Sequence, residues 1–140
     1  KGRPVTNDAL LELPVDILIP AALEDQITEG NAGKISARAV LEMANGPTTL
    51  EADKILTQQG IEVIPDILAN GGGVVGSYLE WVQSLEQKYW TREEVLKKIE
   101  EKITKTFQQV VKIKSEYRTT WRSASYIQAV KRIAAKLENK

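Results

Sequence analysis

Three short apolar runs alternate with polar segments in the first half of the chain, and each predicts a β-strand. The first run is nearly continuous, which is typical of a strand covered on both faces of a sheet. A short helical stretch with a glycine-rich exit follows it within ALEDQITEGNAGKI (22–35), and a helix ending at Gly60 precedes the third run. Strands and helices that alternate in this way predict a parallel α/β sheet. The predicted strands are VDILIP (15–20), ARAVLEMA (37–44) and IEVIPDIL (61–68), and the helix before the third is LEADKILTQQ (50–59), with Thr48 or Thr49 as its N-cap.

No strand signal follows residue 68, and the pattern predicts helices for the rest of the chain. The first of them contains SYLEWVQSLEQ (77–87). Thr91 and Glu94 have the spacing of a capping box, so a second helix is expected from there to about Tyr117. The apolar stripe of this helix and that of a last helix, 123–138, are expected to be buried. The stripes consist of Val95, Ile99, Ile103, Phe107, Val110 and Val111, and of Ile127, Val130, Ala134 and Leu137.

Composition limits the chemistry that these 140 residues perform on their own. The chain has no cysteine and no histidine, which excludes disulfides, thiolate metal sites, and the commonest metal ligand and general base. No metal site is therefore predicted. No apolar run reaches the roughly 20 residues that a membrane-spanning helix needs, and no export signal opens the sequence. We expect a cytoplasmic protein that binds no membrane.

The two parts of the chain carry opposite net charges, although the total is zero. Residues 1–87 have five lysines and arginines against thirteen aspartates and glutamates (−8), and residues 88–140 have fourteen against six (+8). Such asymmetry is found in nucleic-acid and membrane-binding proteins, and also in amphipathic helices whose charged faces meet solvent or an acidic partner. We favour solvated faces and predict no nucleic-acid partner, because the basic residues do not cluster with stacking aromatics as a nucleic-acid groove would need.

The segment GGGVVG (71–76) satisfies G-x-G-x-x-G, the glycine spacing of a turn that binds a dinucleotide pyrophosphate. That motif also requires a second parallel strand, with an acidic residue about 20 positions on. Here Glu93 and Glu94 occupy those positions within the first turn of a predicted helix, and no strand follows. The glycine spacing alone is therefore weak evidence for a pyrophosphate-binding site. Two interpretations stay open, a strained turn that permits close packing and a ligand site of another kind.

The three predicted strands are followed by small residues or asparagine, at Ala21-Ala22, Asn45-Gly46 and Asn70-Gly71-Gly72. Ligands of open parallel sheets bind beyond the carboxyl ends of the strands. Small side chains there let a flat ligand approach the backbone, and asparagine amides offer hydrogen bonds. Ala-Asn-Gly occurs at 44–46 and again at 69–71, which favours a ligand site at this edge.

Taken together, five segments resemble the glutamate dehydrogenase family, in the distal part of its coenzyme-binding domain. The resemblance covers nearly the whole chain, and A-N-G-P-T-T followed by N-x-G-G-V…S-Y-x-E-W is a specific combination. The related leucine and phenylalanine dehydrogenases share the glycine block but not A-N-G-P-T-T, which favours glutamate as the substrate. The segments are VDILIPAALEDQIT (15–28), EMANGPTTLEAD (42–53), IPDILANGGGVVGSYLEWVQ (64–83), YWTREEV (89–95) and RSASY (122–126).

The resemblance implies roles for particular side chains at the matching positions. Ala21 and Ala22 would line the coenzyme cleft near the nicotinamide ribose, and Asn45 would contact the coenzyme near its nicotinamide end. Asn70 would hydrogen-bond the nicotinamide carboxamide or the α-amino region of the substrate. Ser77 would hold the side-chain carboxylate of the substrate, a suitable task for a neutral hydroxyl donor.

The glycines between Asn70 and Ser77 also match the family, with departures nearby. Gly72 and Gly73 would keep the floor of the site free of side chains. Met43 stands where the family usually has glycine and Gly71 where it usually has alanine. Gly76 stands where a β-branched residue is usual, so the G-x-G-x-x-G spacing is accidental in this interpretation.

The family implied is an NAD- or NADP-dependent enzyme that oxidatively deaminates L-glutamate to 2-oxoglutarate and ammonia. Its members place the pyrophosphate-binding turn and the catalytic lysine and aspartate upstream of the matching part. No catalytic residue is therefore expected here, and no lysine of this chain is assigned that role. The resemblance implies a fragment of a longer, hexameric enzyme, and we expect the isolated fragment to be inactive.

The expected fold class is α/β, with a three-stranded parallel half-Rossmann sheet and flanking helices, followed by a C-terminal helical region. Residues 1–87 would form the distal half of the NAD(P)-binding domain, and residues 88–140 would form helices packing on it. An unpaired sheet edge would favour dimerisation of the fragment. Two alternatives stay open, a non-catalytic α/β binding or regulatory module and an interaction domain whose basic helices bind an acidic partner.

Overall fold

The computed structural model describes residues 2–138, which form two compact units, the first ending at Asp66 and the second beginning at Ile67. The elements of the first unit are α1 (Asn7–Leu11), β1 (Ile17–Leu18), a 3₁₀ turn (Ala32–Lys34), β2 (Ala39–Leu41), α2 (Leu50–Gln58) and β3 (Glu62–Ile64). The short helix α3 (Asp66–Ala69) begins at the boundary, and α4 (Gly71–Glu86), α5 (Arg92–Tyr117) and α6 (Trp121–Glu138) belong to the second unit.

The strands of the first unit form one parallel sheet in the order β1-β2-β3, which confirms the predicted sheet. Ile17 pairs with Ala39, and Val40 of the central strand pairs with both Leu18 and Val63. Because the strands are parallel, their carboxyl ends meet at one edge of the sheet. The loops that follow β1 and β2 are therefore neighbours.

The core of the first unit lies between the central strand and α2. Val40, Ile27, Ala52 and Leu56 are fully buried there and pack in one cluster. α2 forms where predicted, because the Thr49 hydroxyl accepts from the Ala52 N–H at 3.2 Å and caps its start. Gly60 follows its end with φ +78°, a conformation that glycine adopts without strain.

Three sequence predictions for the first unit are wrong in detail. The third strand ends before Pro65, which has no N–H to continue the ladder, and the next four residues form α3. The short helix expected in 22–35 is replaced by an irregular loop with the 3₁₀ turn, in which Ile27 forms an isolated parallel bridge with Thr48. β1 is not covered on both faces, since Ile17 is 56% exposed on this edge strand.

The second unit consists of helices, as the sequence predicts, and α5 packs against both α4 and α6. The capping box at the start of α5 is present, with the Thr91 hydroxyl accepting from the Glu94 N–H and the Glu94 carboxylate accepting from the Thr91 N–H. Between α5 and α6 the ring of Phe107 stacks on that of Trp121, with 5.5 Å between centroids. Val110 and Ala124 are buried at the same helix contact.

The predicted burial of α6 is wrong over its C-terminal half. Val130, Ala134 and Leu137 are exposed, whereas the buried residues of this helix are Ala124 and Ser125, near its start. An amphipathic stripe shows which face of a helix is fit for burial but not whether another element covers it. On α5 the stripe is also only partly covered, because Phe107 and Val111 remain exposed while Val110 and Ile113 are buried.

Lysines and aromatic rings are paired in the second unit, which corrects the sequence argument that the two do not cluster. Four lysine ammonium groups lie 4.7–5.1 Å from aromatic centroids. In each pair the ammonium group lies over one face of the ring in a cation–π contact. That face of each ring is therefore already in contact with a residue of the second unit. The pairs are Lys98 with Trp90, Lys102 with Tyr78, Lys114 with Trp121 and Lys131 with Tyr117.

Residues 2–138 lack two kinds of feature. None of the helices within that range combines the length and apolar character that crossing a membrane requires. Over the same range, no three side chains of the histidine, cysteine, aspartate and glutamate types come together as a metal-binding group.

Candidate functional site

Three of the predicted site residues lie at the carboxyl edge of the sheet in the first unit. Ala21 and Ala22 follow β1 after Pro20, and Asn45 follows β2 after a buried alanine. All three predicted site residues are exposed, while Ala44 and Pro47 on either side of the Asn-Gly pair are buried. The strand ends therefore present two methyl groups and one amide side chain to solvent.

Backbone hydrogen bonds join the loop after β1 to the loop after β2. The Pro20 carbonyl accepts from the N–H groups of Met43 (3.0 Å) and Ala44 (2.9 Å). The Asp25 N–H donates to the Gly46 carbonyl at 2.9 Å, and the Ile27 N–H donates to the Pro47 carbonyl at 2.8 Å. These bonds bracket Asn45, so the structure brings together the two loops that carry the predicted residues of this unit.

Two carboxylates that the sequence analysis did not single out hold the other side of the Asn45 loop. Glu42 directly follows β2 and is only 1% exposed, and its Oε2 accepts from the Asp66 N–H at 2.9 Å. The Asp66 Oδ2 in turn accepts from the Gly46 N–H at 2.9 Å. A charged residue inside the apolar run ARAVLEMA is the sequence signal that could have drawn attention to Glu42.

In the second unit, the predicted residues Asn70 and Ser77 belong to the start of α4. Asn70 is its half-buried N-cap residue, although its side chain makes no capping hydrogen bond to the helix. α4 begins at Gly71, earlier than the sequence predicts, so GGGVVG (71–76) is helical. A pyrophosphate-binding turn needs these glycines in a loop before the helix. The helical geometry of residues 71–76 therefore also argues against a pyrophosphate site, in addition to the missing second strand.

Close packing explains one of the three consecutive glycines. A β-carbon on Gly72 would stand 3.1 Å from Cδ1 of Ile103, which is tighter than ordinary van der Waals contact. Gly71 and Gly73 have open space at the same position, so packing within the chain does not require a glycine there. None of the three has positive φ, which rules out the strained turn considered from the sequence.

Ser77 is exposed on α4, one turn after Gly73. Its Oγ donates to the Gly73 carbonyl at 3.2 Å, a bond back to the residue four positions earlier. The hydroxyl has a single proton, and binding an external acceptor would replace this internal bond. A carboxylate is the acceptor that best compensates, because hydrogen bonds to charged groups are about twice as strong as neutral ones.

The whole chain is similar to known dehydrogenases. The family model described as Glutamate/Leucine/Phenylalanine/Valine dehydrogenase matches residues 1–140. The glutamate dehydrogenase of Thermotoga maritima is 53% identical over 134 residues, which are 96% of this chain and 32% of that protein. The NADP-specific glutamate dehydrogenase of Synechocystis is 46% identical over all 140 residues, 33% of its own length. An NAD-specific one from Staphylococcus aureus is 48% identical over 130 residues, 93% of this chain and 31% of its own.

Solved structures give the same result for the fold. Glutamate dehydrogenase from Peptoniphilus asaccharolyticus matches with a TM-score of 0.81 and 48% identity, over 86% of this chain and 30% of that one. The hetero-hexameric glutamate dehydrogenase from Thermus thermophilus matches with a TM-score of 0.88 and 31% identity, over 91% and 31% of the two chains. The chain thus spans about a third of the length of the curated relatives that it matches.

Proposed function

The chain belongs to the Glutamate/Leucine/Phenylalanine/Valine dehydrogenase family, and on that premise we propose that it is part of an NAD(P)-dependent glutamate dehydrogenase. The proposed reaction is oxidative deamination of L-glutamate to 2-oxoglutarate and ammonia. The observation that carries the proposal is the A-N-G-P-T-T loop, which hydrogen bonds fasten to the loop after β1 with Asn45 exposed. NAD- and NADP-specific relatives match equally well, so either coenzyme fits this part of the chain.

The exposed groups at the carboxyl edge of the first unit suit a nicotinamide coenzyme. The Asn45 amide both donates and accepts hydrogen bonds, as contact with ribose hydroxyls or a carboxamide requires. Ala21 and Ala22, on the adjoining loop, add only methyl groups, which leaves the backbone accessible to a flat ring. When bound, the coenzyme supplies the chemistry by accepting a hydride from the substrate Cα. The part of Asn45 and the two alanines is to orient the ring.

Asn70 and Ser77 are the residues of the second unit to which we assign contacts. Asn70, the N-cap residue of α4, offers an amide to the nicotinamide carboxamide or to the α-amino region of glutamate. Ser77 donates its hydroxyl proton to the substrate side-chain carboxylate in place of the Gly73 carbonyl. Neither residue transfers a proton in the reaction. Their task is to hold the substrate for hydride transfer.

The catalytic lysine and aspartate of the proposed enzyme lie outside this chain. Residues 1–87 are proposed as the distal half of its Rossmann-type NAD(P)-binding domain, with residues 88–140 as helices that pack on it. The assembly of a longer enzyme into a hexamer, its location in the cytoplasm, and dimerisation of the fragment through an unpaired sheet edge stay predictions. We expect the isolated 140 residues to bind NAD(P) weakly or not at all and to show no glutamate-dependent NAD(P) reduction. Steady turnover by the purified chain would contradict this assignment.

A chimeric enzyme tests the proposed function directly. The matching third of Thermotoga maritima glutamate dehydrogenase is replaced by this chain, and glutamate-dependent reduction of NAD and NADP is followed spectroscopically. We expect glutamate turnover, with leucine and phenylalanine poor substrates by comparison. The parent enzyme, treated identically, is the control. A chimera that folds but binds no coenzyme would support the alternative of a non-catalytic module, and one that prefers leucine or phenylalanine would correct the substrate.

A further inference from the structure

Two linked carboxylates connect the end of β3 to the loop that carries Asn45. The Oε2 of Glu42 accepts from the Asp66 N–H, and the Oδ2 of Asp66 accepts from the Gly46 N–H, each at 2.9 Å. The two hydrogen bonds lead from the Glu42 side chain through Asp66 to the Gly46 N–H, four residues after Glu42. Together with the backbone from Glu42 to Gly46, they close a ring that contains Met43, Ala44 and Asn45.

The burial of Glu42 shows that this ring is costly to build. A carboxylate that is only 1% exposed gives up its hydration, and hydrogen bonds inside the protein must compensate for it. An apolar side chain at residue 42 could be buried without that penalty. What an apolar residue cannot do is accept the Asp66 N–H and thereby fix the backbone from which the Asp66 carboxylate projects.

Gly46 is the residue of this loop whose backbone conformation depends most on hydrogen bonds from other segments. Its φ of +54° lies in the left-handed region, which glycine enters freely and leaves as freely. The Asp25 N–H holds the Gly46 carbonyl, and the Asp66 carboxylate holds the Gly46 N–H. With both groups held, the peptide that follows Asn45 has one orientation, and so does the Asn45 backbone.

We propose that Asp66, oriented by Glu42, is a positioning residue that sets Asn45 for coenzyme binding. This inference rests on the proposed function, because it concerns the same coenzyme contact. Asp66 acts through the backbone of the loop and does not itself touch the coenzyme. Its loss is therefore expected to weaken coenzyme binding and to leave the affinity for glutamate nearly unchanged.

The test compares Asp66→Ala with Asp66→Asn in the chimeric enzyme. Alanine removes the acceptor for the Gly46 N–H, and we expect the KM for the coenzyme to rise about tenfold, as for the loss of one hydrogen bond to a charged group. Asparagine keeps an oxygen acceptor and should restore most of this loss. The KM for glutamate should change by less than about twofold. Glu29→Ala, the removal of an exposed acid from another loop of the first unit, is the matched control.

A double-mutant cycle distinguishes positioning from general destabilisation. If Asp66 acts through Asn45, the Asn45→Ala/Asp66→Ala variant should bind the coenzyme no more weakly than Asn45→Ala alone. Additive effects, equal rises in both KM values, or no rescue by asparagine would overturn the inference. Should Asp66→Ala fail to fold, Glu42→Leu replaces it, because an apolar side chain cannot accept the Asp66 N–H. A coenzyme KM that is unchanged in soluble Glu42→Leu enzyme would then refute the inference.

The outcomes also separate this inference from the proposed function. An unsubstituted chimera that folds without turning over glutamate would refute the function itself. An active chimera in which Asn45→Ala raises the coenzyme KM and Asp66→Ala does not would refute only the positioning role.

Discussion

Gly72 of α4 lies directly against Ile103 of α5, since a β-carbon at residue 72 would stand 3.1 Å from the Ile103 Cδ1. Gly73, the next residue in the same helical turn, has open space where its β-carbon would be. Two adjacent glycines of one motif thus have different surroundings. One is constrained by packing inside the chain, and the other is not.

Alanine at these two positions is expected to give different stabilities. Gly73→Ala should raise the free energy of unfolding by about 0.5–1 kcal/mol, because alanine favours a helix over glycine. Gly72→Ala should raise it less or lower it, because the Ile103 side chain must shift to admit the methyl group. Urea denaturation followed by circular dichroism measures both. Equal stabilisation of the two variants would contradict the packing role of Gly72.

Gly73→Ala also distinguishes an effect on stability from an effect on function in the chimeric enzyme. If Gly73 keeps the floor of the site free of side chains, Gly73→Ala should give a more stable enzyme with weaker substrate or coenzyme binding. Among the described residues, nothing beyond its two chain neighbours and the nearby backbone of its own helix lies within 4 Å of the added carbon. A loss of binding would therefore come from the ligand side. Full activity of the Gly73→Ala enzyme would contradict the assignment of Gly73 to the floor of the site.

Leu56 anchors α2 on the sheet, and its truncation tests the core of the first unit. Leu56 is 0% exposed within the core cluster, so Leu56→Ala should cost about 2–5 kcal/mol in the free energy of unfolding. Leu50→Ala is the matched control, because Leu50 is in the same helix and 67% exposed. We expect the control to change stability by less than about 0.5 kcal/mol. Similar losses in the two variants would mean that α2 packs on the sheet by another face.

Local sequence rules predicted the parts of this fold that local chemistry decides. The Thr49 cap of α2, the turn at Gly60, and the capping box of Thr91 and Glu94 all depend on residues within four positions of each other. The parallel arrangement of the strands was predicted from their alternation with helices, although a loop with a 3₁₀ turn takes the place of the first helix. These features are settled by hydrogen-bonding groups that the neighbouring sequence supplies.

The features that the sequence could not predict depend on distant partners. The sequence around Glu42 gives no reason for a charge in an apolar run, because its hydrogen-bond partner, the Asp66 N–H, lies 24 residues later. The stripe of Val130 and Leu137 is apolar enough for burial, yet both side chains are exposed. The start of α4 at Gly71 is the exception with a local cause, because three glycines weaken the helix signal of the surrounding sequence. Asn70 and Ser77 were singled out by family resemblance, and their ligand contacts stay predictions.

Glu94 makes the stability of α5 depend on pH in the acid range. Hydrogen bonds from the backbone and side chain of Thr91 hold the pKa of Glu94 below its usual value of 4.5. Since the pKa is lower in the folded state, this contribution to stability is fully present above pH 4.5 and is lost as the pH falls through the folded-state pKa. Glu94→Gln should therefore flatten the fall in the melting temperature below pH 4.5. Glu93→Gln, its neighbour in the same helical turn, is the control, and an identical flattening there would contradict the capping-box origin.

Ser77 provides the sharpest test of the proposed substrate contact, because α4 contains a second serine in the same local geometry. The Ser77 Oγ donates to the Gly73 carbonyl at 3.2 Å, and the Ser84 Oγ donates to the Glu80 carbonyl at 3.1 Å. Replacing either serine by alanine removes one such internal bond from the helix. The two variants should therefore have similar stabilities.

Their kinetics in the chimeric enzyme should differ. Ser77→Ala should raise the KM for glutamate on the order of 10-fold, because the substrate carboxylate loses a donor worth roughly 1–3 kcal/mol. The KM for NAD(P) should stay the same, since Ser77 is assigned to the substrate alone. Ser84→Ala should leave both KM values unchanged. If the two variants bind glutamate equally well, Ser77 has no role in holding the carboxylate, and the substrate contact must be assigned to another residue at the start of α4.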